Sequence, residues 1–278
     1  MKPTHVAVAS GNVSLPSLVG ALCSLEKRGF LKGIESYSSS GNGCFVSVLL
    51  CAGLSLAEMK RKLASSRNIF YDSHSYQYFE PDVRGTDQYI SLGEFFSTIF
   101  RDRFSFIPTF DDLFSLTGKL LVLTTYDVTN DKVLYLSKET HPQMSVLTAI
   151  KLTTGVSHFT CDVNYGGNLH VDASSCLPCP LPQDDSHTIF LGSVWKRSVE
   201  KIFPNTKHGQ AQLLLNISIK RLTKGSLKGY SGKVLKIVVK LGSDAFSREE
   251  NVAFVESFEN CLIEGYNQIE NELKNNNS

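Results

Sequence analysis

No apolar run in this chain approaches the roughly 18 residues a helix needs to span a bilayer, so the sequence offers no candidate transmembrane segment. The first ten residues, MKPTHVAVAS, lack the long apolar core of a secretory leader. Neither sign of charge is in excess: 28 Lys and Arg stand against 27 Asp and Glu, a net charge of +1. No global field therefore points to a nucleic-acid partner. The seven cysteines are odd in number and scattered, which suits free thiols in a reducing, intracellular compartment and argues against a disulfide framework. Asn12, Asn216 and Asn276 begin N-x-S sequons that carry no weight without secretion. Internal repeats and low-complexity linkers are also lacking. What remains is 278 residues with 42% hydrophobic content, enough for one large domain or one domain with a lobe.

The most informative stretch is Glu35 to Gly53, ESYSSSGNGCFVSVLLCAG. It reads as a short strand, a sharp turn and a buried helix. Gly41 and Gly43 sit at the turn, where positive φ or close backbone approach is cheap only for glycine. Cys44 to Ala52 is nearly all apolar, which predicts a helix buried on most sides. A strand entering a buried helix through a tight glycine turn is the architecture of a nucleophile elbow, in which G-x-S-x-G places a serine at the apex. Here the five residues are Ser39-Ser40-Gly41-Asn42-Gly43, so the apex holds Gly41, without a side chain.

Around this stretch the pattern alternates. His5 to Ala9 reads as a first strand, Leu15 to Lys27 as a helix ended by Gly29, and Ser55 with Glu58 as a capping box for another helix. That order points to a parallel α/β sheet. Asn68 to Gln88 has no clean period and reads as an irregular loop. Ser91 to Phe100, Asp111 to Leu116 and Val146 to Thr154 read as helices, and Lys119 to Tyr126 as a strand paired with Lys132 to Ser137. Beyond Gly166-Gly167 a short strand ends at Val171-Asp172, and Pro178, Pro180 and Pro182 keep the next stretch extended. Thr188 to Leu191 and Lys233 to Lys240 read as strands, and about Glu249 to Leu273 as a final amphipathic helix.

With these residues in place the sequence resembles the patatin-like phospholipases, serine lipid acyl hydrolases with a Ser-Asp dyad. The stretch from ASGNVSLPSLVG through the elbow follows the family's first two blocks without a gap, and YGGNLHVDASSCLPCPLP follows the third, which holds the dyad aspartate. The intervening TFDDLFSLTGKLLVLTTYDVTNDKVLYLS is most like the compact patatin domains of large DNA viruses. The resemblance covers about residues 4 to 182. It implies a three-layer α/β/α patatin-like fold with a mainly parallel central sheet, in a single domain. Its core would span about 4–195, with a C-terminal lobe and helix over about 196–278. No cofactor or metal is expected for this chemistry.

The catalytic positions depart from the family. The loop equivalent to G-G-G-x-[RK]-G is Ser10-Gly11-Asn12-Val13-Ser14-Leu15, the elbow apex is Gly41, and the third block is Asp172-Ala173-Ser174. The mechanism needs an oxygen nucleophile activated by a nearby base and backbone N–H groups aimed at the developing oxyanion. In serine hydrolases loss of the nucleophile lowers turnover by about 10⁶. A single engineered change would leave the oxyanion loop intact; departures in all three blocks favour a natural pseudoenzyme acting as a binding or structural module. The alternative is a working lipid acyl hydrolase using Ser39 or Ser40 in a shifted register with Asp172 as base. Against it, these serines also serve as polar turn residues, and Asp172 as a turn carboxylate.

Three further features have functional and structural readings. Cys176-Leu-Pro-Cys179 with His158, Cys161 and His170 lacks the paired ligand spacing of a structural zinc site, so small buried thiols are the expectation. Phe70, Tyr71, Tyr76, Tyr78 and Phe79 form either a lipid-facing lid or loop packing. Between Lys201 and Lys240 there are nine Lys and Arg and no Asp or Glu, densest at Lys220, Arg221, Lys224, Lys228 and Lys233. That tract either binds anionic lipid headgroups or nucleic acid or lies against the acidic final helix. The expected partners are a lipid or anionic membrane surface and, in a viral setting, other virion or assembly proteins; no nucleic acid is expected.

Overall fold

The computed structural model describes residues 2–10, 15–66, 86–155, 163–178, 180–182, 187–195, 221–232, 234–241 and 253–275. In chain order the elements are β1 (His5–Val8), α1 (Leu15–Lys27), β2 (Ser36–Ser40), α2 (Gly43–Cys51), α3 (Leu56–Ser65), α4 (Thr86–Phe104), α5 (Phe110–Thr117), β3 (Leu120–Asp127), β4 (Lys132–Leu136), α6 (Val146–Thr154), β5 (Val163–Tyr165), β6 (Asn168–Asp172), β7 (Thr188–Trp195), α7 (residues 221–229), β8 (Val234–Leu241) and α8 (Ala253–Asn275). This is a three-layer α/β/α patatin-like arrangement. The eight-stranded sheet runs β5-β6-β3-β2-β1-β7-β8, with β4 also on β3. Its centre, from β3 to β8, is parallel; β4 and β6 run antiparallel to β3, and β5 pairs antiparallel with β6.

Strand alternation gives β1 two different faces. Val6 and Val8 pack in the main core with Leu18 and Leu22 of α1 and Val46 and Leu49 of α2. Ala7 and Ala9 face the other way and form a second cluster with Phe190, against which Leu181, Leu227 and Val234 pack. α3 starts on the capping box read from the sequence: the Ser55 side chain accepts from the Glu58 backbone, and Glu58 accepts from the Ser55 backbone at 2.9 Å.

The final helix, α8, docks on α1, burying Phe258, Leu262, Ile269 and Leu273, and it also touches β8, which lies within the basic tract. The crossing is close because it is lined by glycine: a Cβ on Gly20 would run into the Leu262 carbonyl, and one on Gly265 into the Ser17 carbonyl. Two acidic residues of α8, Glu270 and Glu259, form ion pairs. Arg28 grips Glu270 through two nitrogens, at 3.1 and 2.7 Å, and the Ser24 hydroxyl donates to the same carboxylate at 2.9 Å. The Arg28 guanidinium foremost holds the Glu270 carboxyl down at about 2. Glu259 pairs with Lys60 at 3.1 Å.

Candidate active site

The strand-turn-helix read from the sequence is β2, Gly41-Asn42 and α2. All nine residues of α2 are buried. The helix must start close against β1, because a Cβ on Gly43 would sit 2.5 Å from the Ala9 carbonyl oxygen and 2.7 Å from that of Val8. Only a residue without a side chain fits there. Gly41 takes φ +51°, in the left-handed region, and its carbonyl accepts from Cys44 N at 3.0 Å. The backbone therefore makes an elbow whose apex carries no side chain.

Sheet register brings Asp172 to that apex. β2 pairs with β3 over Leu120–Thr124, with Ser40 opposite Thr124. β4 pairs with Leu123–Asp127 and so occupies the other edge. β6 pairs with Thr125–Asp127 and must lie on the edge that β2 has just left, with Asp172 opposite Thr125. Ser40 and Asp172 thus stand opposite successive residues of β3, and the chain after Ser40 turns directly at Asp172. A Cβ on Gly41 would lie 2.5 Å from Asp172 Oδ2 and 2.8 Å from Ser10 Cβ, and would collide with Ser10 Oγ. Ser10, Gly41 and Asp172 thus converge at one point. Gly11 and Asn12, the rest of the expected oxyanion position, lie outside the described residues.

Asp172 is held from its own side. Its Oδ1 accepts from Ser174 N and its Oδ2 from the Ser174 hydroxyl, both at 2.8 Å, which caps the 3₁₀ turn Ala173–Ser175. Its backbone N–H donates to the Gly155 carbonyl. Thr125 Oγ1, bonded to Val171 O at 3.0 Å and Leu152 O at 2.8 Å, clamps the strand end to α6. Desolvation pushes the Asp172 carboxyl up to about 6, and the two Ser174 bonds restrain the rise. Such a carboxylate is well placed to take a proton near neutral pH, but its bonded hydroxyl is that of Ser174. Sequence reasoning missed Ser174, although Asp-x-Ser is a recognisable capping pattern. It also gave Ser10 only a loop position.

Ser39 and Ser40 are fully buried, and neither hydroxyl has a hydrogen-bond partner among the described residues. Ser39 shares the face of Tyr37, towards the main core, whereas Ser40 shares the face of Ser36 and Ser38. That second face carries a buried relay. His5 Nδ1 meets Ser36 Oγ at 2.6 Å, His5 Nε2 meets Ser38 Oγ at 2.7 Å, and Ser38 Oγ donates to the Pro180 carbonyl. The relay ties the chain that follows Asp172 to β1 and β2.

Of the basic residues, Arg221, Lys224 and Lys228 lie on α7, all exposed, while Lys220 and Lys233 lie outside the described residues. The five loop aromatics also lie outside them, as do His158, Cys161 and Cys179. Among the described residues no group of three His, Cys, Asp or Glu could hold a metal, and no helix is long and apolar enough to cross a membrane. Two grooves of about 310 and 440 Å³ run along α4 and share Glu94 and Thr98; neither is lined by Gly41 or Asp172.

No family model and no curated protein sequence matches the chain. Its fold is similar to that of VipD from Legionella pneumophila, with a TM-score of 0.57 over 99% of this chain and 67% of VipD at 13% identity. It is also similar to the type III effector ExoU of Pseudomonas aeruginosa, with a TM-score of 0.53 over 99% of this chain and 53% of ExoU at 13% identity. Both have the patatin-like α/β/α fold. The chain spans about two thirds of VipD and about half of ExoU, and at this identity the likeness is one of fold.

Proposed function

We propose that this chain is a patatin-like protein that has lost lipid acyl hydrolase chemistry and acts as a binding or structural module. The observation that carries the reading is the elbow apex. Gly41 faces Asp172 where a dyad serine would stand, and the carboxylate is held by Ser174. A nucleophile-free elbow cannot form the acyl-enzyme on which this class of hydrolysis depends. Ser10 supports the same reading, since its side chain crowds the space above Gly41. The resemblance to the compact patatin domains of large DNA viruses gives the module a viral setting, inside the infected cell or in the virion, as one domain over residues 1–278. That setting rests on sequence likeness alone.

The second reading keeps the enzyme, with Ser39 or Ser40 as nucleophile and Asp172 as base. It is favoured by one observation: both hydroxyls are buried and have no hydrogen-bond partner among the described residues, an unusual state for buried polar groups. It needs either hydroxyl to reach Asp172, whose carboxylate bonds are those with Ser174.

The two readings separate in one assay. Hydrolysis of a short-chain acyl ester and of a phospholipid is measured for the wild type, Ser39→Ala/Ser40→Ala, Ser10→Ala and Asp172→Asn. The pseudoenzyme reading expects background rates from all four. Wild-type turnover that disappears in Asp172→Asn and in Ser39→Ala/Ser40→Ala would establish the enzyme and place its nucleophile at Ser39 or Ser40.

A further inference from the structure

Asp172 is a carboxylate without a counter-ion among the described residues. No described Lys, Arg or His pairs with it, and its carboxylate bonds come from Ser174 alone. A carboxylate withdrawn from water is ordinarily matched by a cation. The described groups around it supply none. Cys44 of α2 and Cys176, which closes its own turn, are thiols that burial keeps neutral. β3 and α6 present Thr125 and the Gly155 backbone. His170, two residues back on β6, sets its ring against Tyr165. The two carboxylate oxygens also differ. Oδ1 takes the Ser174 N–H, whereas Oδ2 faces the apex, where a Cβ on Gly41 would lie 2.5 Å from it. Ser10 Oγ reaches the same point, and the Ser10 hydroxyl makes no hydrogen bond with a described residue. Ser10, Asp172 and Ser174 are only half-buried, so two oxygens, one of them charged, converge on a bare apex within reach of solvent.

We propose that the Ser10–Gly41–Asp172 locus receives a primary ammonium group, which Asp172 Oδ2 and Ser10 Oγ hold against the bare apex. The geometry selects this cation over the others. A guanidinium fork needs both carboxylate oxygens side by side, and Oδ1 is taken by Ser174. A metal ion needs more ligands than the described residues bring together. An ammonium is a compact charge with three rotatable donors, and it fits one open carboxylate oxygen and a hydroxyl. Ser10 narrows the way to Gly41 and serves as the second acceptor. The group could belong to a free amine or to a lysine side chain, and the two share this chemistry. The inference rests on the binding-module reading above and names the ligand class of that site. Only ionised Asp172 binds an ammonium. Because its carboxyl titrates near 6, binding is present above that pH and lost as pH falls through it.

The test is an amide NMR titration of the full chain, read at Gly41 and Ser174. The probes are n-butylamine, a blocked tripeptide with a central lysine, its arginine counterpart, and tetramethylammonium, which carries the charge without an N–H. Butylamine and the lysine peptide should shift the same amides saturably. Tighter binding of the peptide would assign the site to a protein partner, and tighter binding of butylamine to a small amine. Tetramethylammonium should not bind, and the arginine peptide should bind about tenfold more weakly than the lysine peptide. Butylamine should bind about tenfold more weakly at pH 5 than at pH 7.5, as the carboxyl protonates. Asp172→Asn should abolish binding and Ser10→Ala weaken it about threefold, a neutral hydrogen bond's share; the amide spectrum of each variant checks its fold. The proposal is overturned if butylamine leaves Gly41 and Ser174 unmoved, if tetramethylammonium or the arginine peptide binds as well as the lysine peptide, if wild-type binding ignores pH, or if folded Asp172→Asn binds as the wild type does. Hydrolysis of a short-chain acyl ester is measured on the same samples. Turnover that needs Asp172 would remove the non-catalytic reading and leave the ammonium site standing; absence of amine binding removes the site alone.

Discussion

At residues 10 and 41 the two side chains are exchanged relative to the pattern the sequence resembles: serine where the loop would have its first glycine, glycine where the elbow would have its serine. The structure gives the exchange a steric reason, because the Ser10 side chain and a Cβ on Gly41 would claim the same space. Gly41→Ser alone therefore meets two penalties, crowding against Ser10 and an L-residue held at φ +51°. We expect it to destabilise the fold by about 2 kcal/mol and to show no esterase activity. Adding Ser10→Gly should recover roughly 1 kcal/mol, a coupling readable in a double-mutant cycle of urea melts. Additive effects would mean that the two side chains do not compete. Asp172 gives a second residue-level expectation. Its folded value near 6 lies above the ordinary carboxylate value. The sign follows: stability is fully present below about pH 4 and falls as pH rises through 6. Asp172→Asn removes this titration. The stability difference between variant and wild type should then shift in favour of the variant by roughly 1–3 kcal/mol between pH 4 and 7.5. A pH-independent difference would place the carboxyl in an ordinary environment.

Among the described elements, α1 and α8 pack closely, and their crossing depends on Gly20 and Gly265. On intrinsic propensity alone, alanine at either position would favour the helix by about 1 kcal/mol. The contact reverses that sign, since each added methyl would strike a backbone carbonyl of the partner helix. Gly20→Ala and Gly265→Ala should each destabilise by roughly 1–3 kcal/mol in a urea melt, and a stabilised variant would show that the helices do not pack this way. Nothing in the sequence showed this: the period of α8 reveals an apolar face but not which element covers it. The elements themselves were more legible. Leu15–Lys27 and Val146–Thr154 match their spacing in full, α5 and most strands came within a few residues, and β5 was read as part of a loop. β7, however, continues from Leu191 to Trp195, and α4 starts five residues before the expected Ser91. α7 went unread because Gly225 and Gly229 break its propensity and its apolar face is little more than Leu227. The convergence of Gly41 and Asp172 was readable only through resemblance. Its physical cause, β6 taking over the β3 edge where β2 stops, is a register fact that no local pattern encodes.

For the whole molecule, the sheet and the elbow stand with Asp172 beside an apex that carries no side chain. The framework reasons are independent of catalysis: Gly43 keeps α2 against β1, Thr125 clamps β6 to α6, and His5 ties β1, β2 and the Pro180 stretch together. On the proposed reading, a scaffold held by such contacts serves as a binding or structural module without acyl hydrolase chemistry. The most direct test of that account asks whether any serine in the folded protein is activated. The full chain is treated with a fluorophosphonate ester, which phosphonylates only an activated oxygen nucleophile, and read by intact mass and peptide mapping. The account predicts an unmodified mass, in the wild type as in Asp172→Asn. An adduct on Ser10, Ser39 or Ser40 that forms in the wild type and disappears in Asp172→Asn would contradict it.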